Sequence, residues 1–211
     1  MESGSTPEET WSRLSDEELA MECRPDSPSR MDAFHELLNR YESLVYHTCF
    51  RMIGHVQEAE ETCQDVFLRL YQKIDQFEGR SQFKTWLFRV VHNICLTRRR
   101  NLAIRRERTT EIETEAQRTA ADLQREADHD GTVDLTEAVQ SAISRLKPDD
   151  QEIITLRFVS ELSLEEISEI LGTGLSATKM RLYRAMDRFK ESYQPLSNEA
   201  AGTSNPPLQN E

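Results

Sequence analysis

The segment Ser163-Leu164-Glu165-Glu166-Ile167-Ser168-Glu169-Ile170-Leu171-Gly172-Thr173-Gly174-Leu175-Ser176-Ala177-Thr178-Lys179-Met180-Arg181-Leu182-Tyr183-Arg184-Ala185 holds a start signal, a break and two periodic faces. Ser163 and Glu166 have the spacing of a capping box, so a helix opens at Leu164. Leu164, Ile167, Ile170 and Leu171 give that helix an apolar side, and Gly172-Thr173-Gly174 makes a tight turn. Beyond the turn, Thr178, Leu182, Ala185 and Phe189 recur at helical spacing as a packing stripe. Ser176, Lys179, Met180, Tyr183 and Arg184 form a second stripe on another side.

A short helix, a glycine turn and a longer basic helix make a helix-turn-helix arrangement. The second stripe mixes cation, hydroxyl, thioether and phenol. Such groups pair with phosphates, donate to guanine edges and touch thymine methyls in a major groove. Arg181 and Arg188 flank the stripe, placed either for backbone phosphates or for intramolecular acids. The competing reading is an ordinary three-helix packing module.

Working outward, Leu135, Val139, Ile143 and Leu146 form a helical face upstream. Pro148 suits the first position of the next helix, which Ile153, Ile154, Leu156, Arg157 and Phe158 carry. This block spans about residues 135–193. A second block spans about 29–100, preceded by an extension (1–28) with a short helix opened by the capping box Ser15-Asp16-Glu17-Glu18. Its first helix presents Phe34, Leu37, Leu38, Tyr41, Leu44, Val45 and Cys49, and Gly54 breaks it. The next presents Cys63, Val66, Phe67, Leu70, Ile74 and Phe77. After Glu78-Gly79-Arg80, Ser81 can cap a third helix that buries Phe83, Leu87, Val90 and Ile94 and closes at Arg98-Arg99-Arg100. Short connections make this an antiparallel bundle. The expected fold class is therefore all-α: two small helical domains, a three- to four-helix bundle and a helix-turn-helix unit, joined by a flexible acidic linker.

That linker, 101–134, is charged and nearly free of large apolar residues. As a flexible chain its ends would stand about 30 Å apart, close to one turn of duplex DNA at ~34 Å. The tail, 194–211, carries Pro195, Pro206 and Pro207 and little to bury, so disorder is expected there.

The 211 residues hold 26 Lys+Arg against 38 Asp+Glu, a net charge of -12. The total hides a pattern. Residues 79–108 carry nine bases and one acid, and 174–190 carry five bases and one acid. Residues 1–32 carry nine acids and three bases, and 109–134 carry eight acids and two bases. Binding phosphates needs local positive charge, not a basic total. One such segment is commonly a solvated helix face, but two in separate domains favour nucleic acid.

In the first block, Gln64, Asp65, Leu68 and Arg69 point away from the apolar stripe. Leu68 is either an ordinary exposed leucine or part of a small protein-docking patch. The run Phe77-Glu78-Gly79-Arg80-Ser81-Gln82-Phe83-Lys84-Thr85-Trp86-Leu87 interleaves aromatics with cations, which suits single-stranded DNA. Its phase places Phe83 in the core and leaves Trp86 open between core and stacking.

Cys23, Cys49, Cys63 and Cys95 are widely spaced and read as reduced packing residues. No metal site or cofactor is expected, since metal-ligand spacing, a Gly-rich phosphate loop and a nucleophile elbow are all missing from the sequence. The adjacent acids Glu60-Glu61 and Glu165-Glu166 read as solvated or capping residues, not a catalytic pair. No apolar run approaches the roughly 18 residues of a membrane helix, and Met1-Glu2-Ser3-Gly4 lacks a secretion signal's pattern. A cytoplasmic, non-enzymatic protein without membrane insertion, monomeric when free, is expected.

Three ordered segments together resemble the extracytoplasmic-function sigma factors of bacterial RNA polymerase. They are Ala59-Glu60-Glu61-Thr62-Cys63-Gln64-Asp65-Val66-Phe67-Leu68-Arg69-Leu70, Phe83-Lys84-Thr85-Trp86-Leu87-Phe88-Arg89-Val90-Val91-His92-Asn93, and the helix-turn-helix quoted above. The resemblance covers about residues 30–100 and 135–192. It implies docking on the β′ clamp helices of core polymerase through Gln64, Asp65, Leu68 and Arg69, with the β flap as a further contact. It implies recognition and melting of the minus-ten element by Arg80, Ser81, Phe83, Lys84, Trp86 and Asn93, with Arg98 and Arg99 as further DNA-binding cations at the end of that helix, where they also suit the helix dipole. The minus-thirty-five element would be read as duplex by Ser176, Lys179, Met180, Tyr183 and Arg184, with Arg181 as a flanking DNA-binding candidate. The acidic linker would thread a basic channel near the polymerase active site. An anti-sigma protein would cover the polymerase-binding face. Ser176-Ala177-Thr178 stands where the family often has Gly-Thr-Val. The alternative from another class is a sigma-like decoy that sequesters an anti-sigma protein and never engages DNA.

Overall fold

The computed structural model describes the backbone of residues 11–110 and 133–202, and side chains within 11–105 and 138–194. The described residues form helices and turns without a strand. They divide into two compact units, one on each side of residues 111–132. Most of the expected linker therefore lies outside the described residues.

In the first unit, α1 spans Asp16–Glu22. Its capping box is formed as read: Glu18 N–H donates to Ser15 Oγ (3.2 Å) and Ser15 N–H to Glu18 Oε2 (2.8 Å). α2 spans Arg30–Ile53 and buries Phe34, Leu37, Tyr41, Val45 and Cys49, with Leu38 and Leu44 half-buried at the margin. Gly54, at φ +77°, ends it with a backbone that suits glycine. α3 spans Val56–Lys73 and buries Cys63, Val66, Phe67 and Leu70, followed by Ile74 and Phe77. Tyr71 near its end meets the start of α2: its ring makes an edge contact with Phe34, its carbonyl accepts from Arg30, and Arg30 lies over the ring. α2 and α3 are thus antiparallel.

α4 spans Phe83–Thr110 and departs from expectation at three points. Its buried side comprises Phe83, Leu87, Phe88, Val91, His92 and Cys95, whereas Val90 and Ile94 are half-buried. The face is turned because α4 packs on both α1 and α2, drawing Phe88 and His92 inside. The helix also runs past Arg100, as residues 101–110 contain no Gly or Pro to stop it. Finally, the cap at Phe83 is not Ser81. The Phe83 N–H donates to Glu17 Oε1 of α1 at 2.8 Å.

In the second unit, α5 spans Val133–Ser144, α6 spans Pro148–Ile154 and continues through a π-helical turn at Thr155–Val159, α7 spans Leu164–Leu171 and α8 spans Leu175–Gly202. α5 turns Ala138 and Ala142 inward, with Val139 and Ile143 half-buried, and Leu146 just beyond its end is buried. The small alanines let α8 come close, and Ser192 Oγ donates to the Ala142 carbonyl at 3.3 Å. Pro148 occupies the first turn of α6 as expected. Gln151 Nε2 donates to the carbonyls of Ser144 (3.2 Å) and Leu146 (3.0 Å), satisfying the end of α5. The capping box of α7 is formed, with Glu166 N–H to Ser163 Oγ at 3.2 Å and Ser163 N–H to Glu166 Oε2 at 2.7 Å. Gly172, at φ +63°, closes the helix in the left-handed conformation. The backbone of α8 stays helical to Gly202, through Pro195, so the expected disorder does not hold for 194–202. Residues 203–211 lie outside the described residues.

Candidate nucleic-acid and polymerase interfaces

α8 sorts its side chains by face. Thr178, Leu182 and Ala185 are buried and Phe189 is half-buried against the rest of the unit. Thr178 keeps its place inside because its hydroxyl is satisfied, 2.8 Å from Thr173 Oγ1 and 3.2 Å from the Gly174 carbonyl. A threonine here therefore preserves the helix register that a valine would give. On the other side, Ser176, Lys179, Met180, Tyr183 and Arg184 are all exposed. Lys179 Nζ stands 5.8 Å above the Tyr183 ring, a cation–π distance that keeps both groups together on the surface.

Arg181 leaves that set. Its guanidinium donates to the Asp149 carbonyl at 2.7 Å and to the Glu152 carboxylate of α6. Arg188 grips Asp150 with both carboxylate oxygens at 2.8 Å. Asp150 and Glu152 are almost fully buried, so these pairs fix how α8 is rolled on α6. Of the two roles open to Arg181 and Arg188, pairing with acids is the one they take. Sequence reading had no signal for Asp150 and Glu152 as the partners.

On α3, Gln64, Asp65, Leu68 and Arg69 lie side by side and exposed, Leu68 at 62%. Asp65 and Arg69 have no ion-pair partner among the described residues. An exposed leucine framed by polar groups on a helix has the composition of a small protein-docking patch.

The third surface begins at the loop 78–82. Arg80 is exposed and, among the described residues, paired only with exposed Glu78 at 2.6 Å, a weak restraint. Ser81 is half-buried, and so are Lys84 and Arg99, while Asn93 is exposed. Phe83 is fully buried and cannot touch a nucleic acid. It supports the surface from below, with ring centroids 5.5 Å from Phe77 and 6.0 Å from Trp86. Trp86 packs on Phe77 at 5.7 Å yet remains half-buried, so it serves core and surface together. Arg98 also leaves the DNA-facing set, because it pairs with Glu58 and Glu61 of α3. Partial burial disfavours its charge, but those hydrogen bonds more than compensate and raise its pKa above the ordinary value. Arg105, two turns on, approaches the same Glu58 at 3.8 Å.

All four cysteines are free and buried, with Cys49 and Cys95 sulfurs 3.6 Å apart. Burial pushes the Cys23 and Cys63 thiols up to about 12. Among the described residues there is no cluster of His, Cys, Asp or Glu fit to hold a metal, and no helix long and apolar enough to cross a membrane.

Two family models match the chain: Sigma-70 region 2 over residues 37–105 and Sigma-70 region 4 over 136–189. The ECF RNA polymerase sigma factor SigW of Bacillus subtilis is 31% identical over 175 residues, covering 78% of this chain and 91% of that protein. The chain belongs to the ECF sigma factors. YlaC of the same organism, an RNA polymerase sigma factor, is 28% identical over 76% of this chain and 92% of its own length. The fold is shared with the sigma factor RpoE solved with the anti-sigma factor NepR from Bartonella quintana, at TM-score 0.61 and 23% identity, covering 76% of this chain and 96% of that one. It is shared equally with CnrH, solved with the cytosolic domain of CnrY, at TM-score 0.61 and 22% identity, covering 83% and 95%. This sigma factor is thus a transcription initiation factor and not an enzyme. Its first unit holds region 2 and its second holds region 4. α1 precedes the matched part of region 2, and α8 continues past the matched part of region 4.

Proposed function

We propose that this sigma factor docks on core RNA polymerase through α3 and reads promoter DNA with two separate surfaces. Gln64, Asp65, Leu68 and Arg69 engage the β′ clamp helices, and region 4 contacts the β flap. Ser176, Lys179, Met180, Tyr183 and Arg184 read the minus-thirty-five element as duplex. Arg80, Ser81, Lys84, Trp86, Asn93 and Arg99 contact the minus-ten element as melted strand, with Phe83 and Arg98 holding their scaffold. The observation that carries this reading is the outer stripe of α8, where cation, phenol, hydroxyl and thioether stand exposed. By analogy with RpoE, which is solved in complex with the anti-sigma factor NepR, an anti-sigma protein binds this factor, and the exposed α3 face is the surface we assign to it.

The test is transcription from a cognate promoter with purified core polymerase. Lys179→Ala with Arg184→Ala should weaken promoters that need the upstream element while sparing polymerase capture. Each lost phosphate contact should lower the slope of log K against log salt by about 0.9. Equal loss of DNA use and polymerase capture would refute the assignment of faces. Absence of any open complex, with anti-sigma capture intact, would leave the decoy reading in its place.

A further inference from the structure

The α1 helix lies outside the part of the chain that the region 2 model matches, which begins at residue 37. Its contacts nevertheless close a circuit behind the loop 78–82. From α2, the Arg40 guanidinium donates to the carbonyls of Leu14 (2.9 Å), Trp11 (3.1 Å) and Ser12 (3.2 Å), and to Asp16 (2.8 Å). The Tyr41 hydroxyl donates to the other oxygen of Asp16. With α1 so held, Glu17 accepts the first N–H of α4, at Phe83, at 2.8 Å. The circuit closes where the Phe83 ring meets the edge of Tyr41 at 5.8 Å. One turn further along α1, Met21 flanks the loop itself: the place where a Cβ would stand on Gly79 is 3.5 Å from Met21 Cε.

A helix start with an unpaired N–H frays, and a side-chain acceptor there fixes which residue begins the helix. Fixing Phe83 as the first residue fixes where Arg80 and Ser81 leave the core and where Lys84 and Trp86 point. We infer that α1 is a positioning element for the strand-opening surface, and that Glu17 is its positioning residue. The inference rests on the reading of residues 80–93 as the minus-ten surface. Glu17 touches no DNA in this scheme. It acts through the α4 backbone.

The experiment uses the full chain reconstituted with core polymerase, below the unfolding midpoint of every variant. Three readouts are taken: binding of a minus-ten single-strand oligonucleotide against a scrambled one, polymerase capture, and hydrogen exchange at the Phe83 amide. Glu17→Ala should cut the oligonucleotide preference by about tenfold, the scale of one lost helix cap. It should speed exchange at Phe83 and leave polymerase capture unchanged. Glu17→Gln, which keeps an acceptor oxygen, should restore most of the preference. Met21→Ala, at a partly exposed position, gives a second reading if Glu17→Ala does not fold, and should lower the preference in the same direction. Wild-type preference retained in both Glu17→Ala and Met21→Ala overturns the inference. So does a Glu17→Ala loss shared equally by polymerase capture. If the wild-type holoenzyme itself ignores the promoter oligonucleotide, the minus-ten reading falls instead.

Discussion

Replacing Arg181 by alanine separates a cation of the fold from the cations of the reading face. Its side chain is 29% exposed and its partner Glu152 only 7%. Removing one member of a fully buried pair costs about 3–5 kcal/mol, because a charge is left without compensation. Water reaches this pair from the arginine side, so the expected cost is about 2 kcal/mol. The neighbouring pair is more open, with Arg188 at 48%, so Arg188→Ala should cost about 1 kcal/mol. In a unit of this size, 2 kcal/mol lowers the melting point by roughly 8–16 °C. The assay exploits where the two tryptophans lie: Trp11 and Trp86 are both in the first unit. Urea unfolding of the full chain followed by tryptophan fluorescence reports that unit, while far-ultraviolet circular dichroism reports both. Arg181→Ala should move only the dichroism component that fluorescence does not see. Arg181→Met with Glu152→Leu should recover most of the loss, since apolar side chains of similar size replace a buried pair without a desolvation cost. A shift below about 0.5 kcal/mol, or one seen in the tryptophan signal, refutes the structural role of the pair.

Gln64→Ala with Leu68→Ala should reduce polymerase capture by about tenfold or more while moving the unfolding free energy by less than about 0.5 kcal/mol, since both residues are exposed; a collapsed thermal transition would make them structural instead. The thiols give a pH prediction. Folding raises Cys23 and Cys63 from 9.0 to about 12, so each contributes stability that is fully present below 9.0 and disappears as pH climbs toward about 12. At about pH 8 their thiolate fraction is small, and iodoacetamide should label the native chain slowly and the urea-unfolded chain readily. Fast native labelling at Cys23 or Cys63 would contradict their burial.

The helix-turn-helix was legible because its signals are local. Ser163 and Glu166 are three residues apart, Gly172 marks the left-handed stop, and the two stripes of α8 are separated by period alone. The exposed quartet on α3 was legible for the same reason. On α5 the reading followed the larger apolar side chains and missed smaller buried ones, and on α4 it took the wrong phase and missed even Phe88. Ala138 and Ala142 carry the inner face of α5, and His92 and Cys95 share that of α4. Both faces are therefore turned from where Val139, Ile143, Val90 and Ile94 pointed. The cations show the harder limit. Arg98 finds Glu58 forty positions away, and Arg181 finds Glu152 across twenty-nine. Period and composition carry no information about such partners, so both arginines looked available for phosphate. Glu17 is the extreme case, capping a helix that starts sixty-six positions later.

If α8 reads the promoter as proposed, its anchoring on Asp150 and Glu152 gives promoter preference two independent dials. On that proposal, a change at Ser176 or Met180 would alter one contact of the exposed stripe and leave the others in place. On the same proposal, a change at Asp150 or Glu152 would re-aim the whole helix, so every contact of the stripe would shift at once although no exposed residue has altered. Divergence of a sigma factor toward a new set of genes can therefore begin on the concealed side of the domain.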